Sequence, residues 1–201
     1  NDMYLTVYDN GRFVIHLNKQ DRTDCENNSN RPNFEVNIKG APWIVLYKDG
    51  FVVDKITECA QGLEIGYICE EEKIYVSVIL EFVPETNVIV QQNKIKNYGV
   101  KVCKLTRFSS CFMEHIAGET GDAWYDNDEL YVYLCYSKWM GEGQWRKFKP
   151  SDLGLCPGSV HGGEKASYRI NSIGSWSTAN YYPMVIVEDK KHERVWYTEI
   201  E

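Results

Sequence analysis

The sequence predicts an all-β protein, organised as a large antiparallel two-sheet β-sandwich. Three observations carry that expectation. Strand-length runs rich in Val, Ile, Tyr, Phe and Trp recur along the chain, glycine- and asparagine-containing turns separate them, and helical periodicity is almost absent. Many short strands closed by tight turns favour antiparallel sheets over a parallel α/β arrangement, which needs long crossover segments.

The runs follow in order. Met3 to Tyr8 and Arg12 to Leu17 flank Asn10-Gly11, a pair tolerant of positive φ and so suited to a tight hairpin. Trp43 to Tyr47 precedes a second such pair, Asp49-Gly50. Lys73 to Phe82 alternates apolar and other residues through Ile74-Tyr75-Val76-Ser77-Val78-Ile79-Leu80, and Glu70-Glu71-Glu72 before it reads as a solvated hairpin tip. Asn87 to Gln91 and Val100 to Phe108 lie on either side of Asn97-Tyr98-Gly99. Leu130 to Tyr136, Met184 to Glu188 and Arg194 to Ile200 complete the set. The polar stretch Asn18 to Asn33 and the Gly/Pro-rich stretch Lys149 to Lys165 read as loops, so residues 1–201 are expected to form one domain. The aromatic-rich pattern of the last third runs without a break to Val195-Trp196-Tyr197-Thr198-Glu199-Ile200-Glu201, as in a module of a larger protein.

Composition narrows the function classes. A chain of 201 residues with 43% hydrophobic content can bury a sizeable core, and a formal charge of -7 argues against nucleic acid, whose phosphates call for clustered Lys and Arg. No apolar run of bilayer-spanning length and no secretory leader pattern is read, so the expectation is a soluble, cytoplasmic protein with no membrane partner. The seven cysteines, Cys25, Cys59, Cys69, Cys103, Cys111, Cys135 and Cys156, include no CxxC pair and several sit inside apolar runs. Buried free thiols in a reducing compartment fit this better than a disulfide framework. Asn27-Asn28-Ser29 matches a glycosylation sequon, which carries weight only on a secretory route.

Catalytic signatures are missing where they would be legible. His16, His115, His161 and His192 are far apart, and Glu114-His115 lacks the second histidine of a zinc-binding helix, so no metal ligand and no cofactor is assigned. Gly141-Glu142-Gly143 and Gly158 to Gly163 fit neither dinucleotide nor phosphate-loop spacing, and no GxSxG elbow occurs. The aromatic content of 13% is what remains. Trp139, Trp145, Trp176, Tyr181 and Tyr182 sit in loop-like contexts, where flat rings can stack on the C–H faces of sugars; the alternative is that they fill a core or a domain interface.

One ordered series of segments resembles the amino-terminal domain of family 36 glycoside hydrolases, the microbial α-galactosidases or melibiases. Phe82-Val83-Pro84-Glu85-Thr86-Asn87-Val88-Ile89 is similar to the family's Y-P-x-x-N-x-I stretch, and Asn97-Tyr98-Gly99 and Leu105-Thr106-Arg107-Phe108-Ser109-Ser110 follow it. Gly141-Glu142-Gly143-Gln144-Trp145-Arg146 resembles its G-x-W-x-x-E-R region, and Ile170-Asn171-Ser172-Ile173-Gly174 its I-x-S-x-x-G. Tyr182-Pro183-Met184 stands where the family has Asn-Pro-Phe, and Trp196 to Glu201 resembles the strand that comes next. The resemblance covers roughly residues 63 to 201; the family's E-Y-P-x-x-G-x-x-D-F-R stretch is replaced by Gln61 to Tyr67 running directly into Glu70-Glu71-Glu72.

The resemblance implies a β-supersandwich of the galactose-mutarotase-like kind that packs on a catalytic (β/α)8 barrel of the same polypeptide. In that family two barrel aspartates perform retaining hydrolysis of terminal α-galactosides, so no catalytic residue is carried onto this chain and the chain alone is expected to be silent. Its implied partners are that barrel and galactoside oligosaccharides, with homo-oligomers also known in the family. A free-standing carbohydrate-binding module or lectin, with Trp139, Trp176, Tyr181 and Tyr182 as its platform, is the alternative.

Overall fold

The computed structural model describes residues 3–16, 33–38, 50–109, 111, 129–138, 140–155, 168, 170 and 180–200. The chain is all-β, with several antiparallel sheets, as expected for a sandwich, and it divides into two compact units, Asn1–Glu114 and His115–Glu201. Among the described residues the only helix is one short 3-10 turn.

In the first unit, β1 (Tyr4–Val7) and β2 (Phe13–His16) form a hairpin across Asn10-Gly11. Gly11 has φ +76°, and the turn closes through Gly11 N–H to Tyr8 O at 2.8 Å. A second pair joins β3 (Val36–Ile38) to β8 (Leu105–Phe108). Between them in sequence lies a four-stranded meander in the order β4 (Val52–Cys59), β5 (Gly62–Cys69), β6 (Ile74–Val83), β7 (Val88–Asn97). Ile65, Tyr67, Ile74, Val76, Val78 and Leu80 project from one face of the meander and are buried with Phe13, Val36 and Ile38 of the smaller pairs and with Phe34, which precedes β3. This is the period-2 pattern of β6 turned into a core: even positions from Ile74 to Leu80 are sealed, odd ones such as Tyr75 and Ile79 only half so.

Tyr67 anchors that core. It is 1% exposed, its phenol donates to Gly11 O at 2.6 Å, and its ring packs edge-on to Phe34 with centroids 5.0 Å apart. Burial pushes the phenol well above its ordinary value of 10.0. A Cβ on Gly11 would meet Val53 at 2.6 Å and the Tyr67 ring at 2.8 Å, so this turn requires glycine for its φ and for the close approach alike.

The strands β3, β4, β5 and β10 were not among the runs read from sequence: β3 is only three residues long, β4 and β10 are largely exposed, and β5 contains glycines. Strand β4 is a meander edge, exposed along most of its length, interrupted by Asp54, Lys55 and Glu58 and bulged between Val53 and Lys55. Strand β5 carries Gly62 and Gly66, residues that normally weaken a strand. Here both permit close contact: a Cβ on Gly62 would lie 1.8 Å from Leu80 O, and one on Gly66 2.0 Å from the Tyr75 hydroxyl. Strand β7 runs well past Gln91 through polar residues to Asn97, where Gly99 N–H binds Asn97 Oδ1 at 2.9 Å. Trp43 to Tyr47 lies outside the described residues.

The second unit holds one four-stranded sheet in the order β10 (Gln144–Phe148), β9 (Leu130–Ser137), β11 (Asn180–Asp189), β12 (Arg194–Glu199). The 3-10 helix Pro150–Leu153 follows β10, opened by a Lys149 N–H bond to Asp152 Oδ2 at 2.9 Å and closed by Gly154 at φ +70°. Strand β11 departs from regular pairing: Tyr181 faces Tyr136 and Val185 faces Leu134, so Tyr182, Pro183 and Met184 together oppose Cys135. Pro183 cannot donate to a ladder, and a bulge is where a sheet accepts it.

Two substitutions test this account. Tyr67→Phe strands the buried Gly11 carbonyl and is expected to cost about 1–3 kcal/mol in denaturant unfolding. Between pH 10 and the raised folded-state value the native form holds the phenol proton that the unfolded chain has released, so stability falls as pH rises through this range; Tyr67→Phe flattens that alkaline decline. Gly62→Ala forces backbone against backbone and is expected to cost about 1–3 kcal/mol by the same measurement, comparable to overpacking a core.

Candidate functional site

Alternation sorts the second unit's sheet into two unlike faces. Leu130, Val132, Leu134 and Tyr136 of β9 share one face, with Phe148 of β10, Tyr181, Val185, Val187 and Asp189 of β11, and Trp196 of β12, each placed by its pairing register. Leu130, Leu134 and Asp189 are 5%, 1% and 0% exposed, which marks this as the inward face. The other face carries Tyr131, Tyr133 and Cys135, with Trp145 and Lys147 of β10, Ile186 and Glu188 of β11, and Val195 and Tyr197 of β12. Trp145, Val195 and Tyr197 are exposed. The open side of an antiparallel sheet is ordinarily polar, so an aromatic open side calls for an explanation.

At the centre of the open face a polar cluster is set among rings. The Tyr133 hydroxyl donates to Glu188 Oε2 at 2.5 Å, and Lys147 Nζ reaches the same oxygen at 3.3 Å. Lys147 Nζ also lies 3.6 Å from the centroid of the Tyr131 ring and 5.3 Å from that of Tyr133, and Lys190 Nζ is 5.4 Å from Tyr131. The Tyr133 hydrogen bond, aided by Lys147, holds the Glu188 carboxyl below its ordinary range. The Lys147 ammonium is pushed up to about 12, chiefly by Tyr133 and then by Glu188. Both groups therefore stay charged around neutrality and offset each other.

The inward face has its own aromatic cluster. Tyr136 and Tyr181 lie 4.7 Å apart between centroids, Phe148 is 6.5 Å from Tyr136, and the Arg146 guanidinium sits 5.0 Å from the Tyr136 ring. Hydrogen bonding to Tyr181 pushes the Tyr168 phenol up to about 12. At the β11–β12 turn the buried Asp189 carboxylate accepts from the His192 backbone at 3.3 Å and contacts His192 Nδ1 at 2.7 Å.

The residues singled out from sequence thus separate. Trp145 stands on the open face, Tyr181 on the inward face, and Tyr182 in the bulge between them; Trp139 and Trp176 lie outside the described residues. Sequence reasoning passed over Tyr131, Tyr133, Lys147, Glu188 and Tyr197 because aromatics in alternating strands read as core. The signal was present in the period: Tyr131 and Tyr133, and Trp145 and Lys147, are each two apart and so share a face.

Among the described residues no group of His, Cys, Asp and Glu is placed to hold a metal ion. Among the described carboxylates Glu70 and Glu188 have pKa values held below the ordinary range, Glu70 by its Lys73 partner and Glu188 by Tyr133. A general acid for glycoside cleavage needs the opposite shift. Searches against protein-family profiles, curated proteins and solved structures return no match.

Removing the Tyr133 hydroxyl tests the cluster. Tyr133→Phe should move the Glu188 titration, read from its carboxyl carbon by NMR, upward toward the ordinary 4.5. Because the folded value is depressed, the stability Glu188 contributes is present above pH 4.5 and is lost as pH falls; the variant should show a weaker acid dependence.

Proposed function

We infer that the chain is the non-catalytic, amino-terminal β module of a glycoside hydrolase acting on terminal α-galactosides. It packs on the catalytic barrel of that enzyme and helps shape the rim of its cleft. The observation that carries the reading is the order of the resembling segments on the fold. Phe82 to Ile89 is the β6–β7 hairpin, Leu105 to Phe108 is β8, Gly141 to Arg146 leads into β10, Tyr182 to Met184 is the bulge of β11, and Trp196 to Glu199 lies in β12. Segments that look separate in sequence therefore fall on successive structural features of an all-β chain. The downward shifts of Glu70 and Glu188 fit a module without acid–base chemistry.

A reducing, cytoplasmic setting belongs to the same proposal. Its support is that Cys59, Cys69, Cys103, Cys111 and Cys135 are all unbridged, with Cys69 and Cys135 buried. No helix among the described residues is long and apolar enough to cross a membrane.

The second reading, a free-standing carbohydrate-binding module, is favoured by Trp145 and Tyr197 standing exposed around the Tyr133–Glu188–Lys147 cluster. The two readings differ in what the chain needs to work. Incubated with aryl α-galactosides, the chain alone is expected to release no phenol, while a polypeptide that continues into a barrel turns over. Turnover by the chain alone that disappears on substituting one of its own carboxylates would overturn the first reading.

A further inference from the structure

We propose that the open face of the second unit's sheet is a binding site for neutral pyranosides, with Glu188 and Tyr133 as its polar groups and Trp145 and Tyr197 as its exposed aromatic surface. The inference deepens the sugar-contacting part of the function above and rests on it, but not on the galactosidase relationship. Three features of the face converge on this ligand class.

The first is the apolar surface. Trp145 on β10 and Tyr197 on β12 are exposed and lie three strand spacings, about 14 Å, apart across the sheet, with Tyr133 and Ile186 on the strands between them and Tyr131 and Glu188 in the next pair along. That span exceeds one pyranose ring and offers flat surface along its length. The second is an unused acceptor. Both protein contacts to the Glu188 carboxylate fall on Oε2, and Oε1 has no partner among the described residues. An ionised carboxylate only accepts hydrogen bonds, so Oε1 is suited to a ligand hydroxyl. The third is charge. Lys147 and Lys190, which both act on Glu188, are offset by Glu188 and by Glu199, whose carboxylate accepts from the Tyr197 hydroxyl on the same face, so these four charges balance and give no net attraction for an acid, and the free Glu188 oxygen repels one. Lys190 lies beyond Tyr131, at the end of the face. A ligand with apolar C–H faces, several hydroxyl donors and no charge satisfies all three.

The geometry also says how the site is preorganised. Tyr133 and Lys147 fix Glu188 from one side, so the carboxylate does not have to be ordered when a sugar arrives. Lys147 in turn is steadied over the Tyr131 ring. Glu188 positions and binds here, and its lowered pKa keeps it ionised and so an acceptor.

The test is calorimetry of the whole chain against raffinose-type galactosides, neutral gluco-oligosaccharides and oligogalacturonate. The expected result is millimolar or tighter binding of at least one neutral oligosaccharide, weakened about ten-fold or more by Trp145→Ala and by Glu188→Gln. Trp145 stands exposed, so the thermal midpoint of Trp145→Ala should stay close to that of the parent, while Glu188→Gln keeps an acceptor for the Tyr133 hydroxyl and gives up only the charge pair with Lys147, so the variant remains folded. Binding of gluco- but not galacto-oligosaccharides sustains the site while removing the galactoside assignment. Binding that survives Trp145→Ala and Glu188→Gln but disappears in Tyr181→Ala or Tyr182→Ala keeps sugar contact and overturns this site. Flat titrations with every ligand, or binding of the galacturonate alone, overturn the proposal.

Discussion

The first unit depends on one contact, the Tyr67 phenol held against the carbonyl of Gly11. Tyr67 belongs to β5, inside the meander, while Gly11 belongs to the β1–β2 turn, so a single hydrogen bond of 2.6 Å joins elements 56 residues apart. A neutral hydrogen bond contributes modestly where water competes, but both groups here are buried, and leaving either unmatched is the larger cost. The ring of Tyr67 then fixes Phe34, which meets Phe51 edge-on at 5.2 Å. Gly11, Gly62 and Gly66 are the complement of this arrangement: backbone or ring atoms occupy the space where their side chains would be.

In the second unit the governing constraint is the bulge in β11. Regular pairing from Val185 opposite Leu134 would set Pro183 opposite Tyr136; the two extra residues bring Tyr181 there instead. Because the shift is even, Tyr181 stays on the inward face and moves along the strand by about 7 Å, far enough to pack on Tyr136. The same bulge leaves Cys135 without a regular partner on β11, at the edge of the open aromatic face. A proline and a sheet thus coexist, and the two faces keep their separate characters.

Those characters suit different tasks. The inward phenols bond to one another, and burial with mutual hydrogen bonding raises their pKa values and keeps them protonated, as packing groups do. The open face instead keeps an ion pair charged beside exposed rings.

Much of the fold was legible in the residues. Asn10-Gly11, the alternation from Ile74 to Leu80 and the run from Leu130 to Tyr136 specify hairpins and strands through local φ preferences and period, and together they fix the all-β class. Strands β4 and β7 were hidden or shortened because edges carry polar residues, and β5 because its glycines answer to Leu80 and Tyr75, contacts no local pattern records. The candidate site was legible only as an excess of aromatics. Which of them face outward depends on register across β10, β9, β11 and β12, and on a bulge that pairs Tyr181 with Tyr136. Sequence set the alternation along each strand; tertiary pairing alone decided that Trp145, Tyr133 and Tyr197 share a face with Glu188 and that Tyr181 does not.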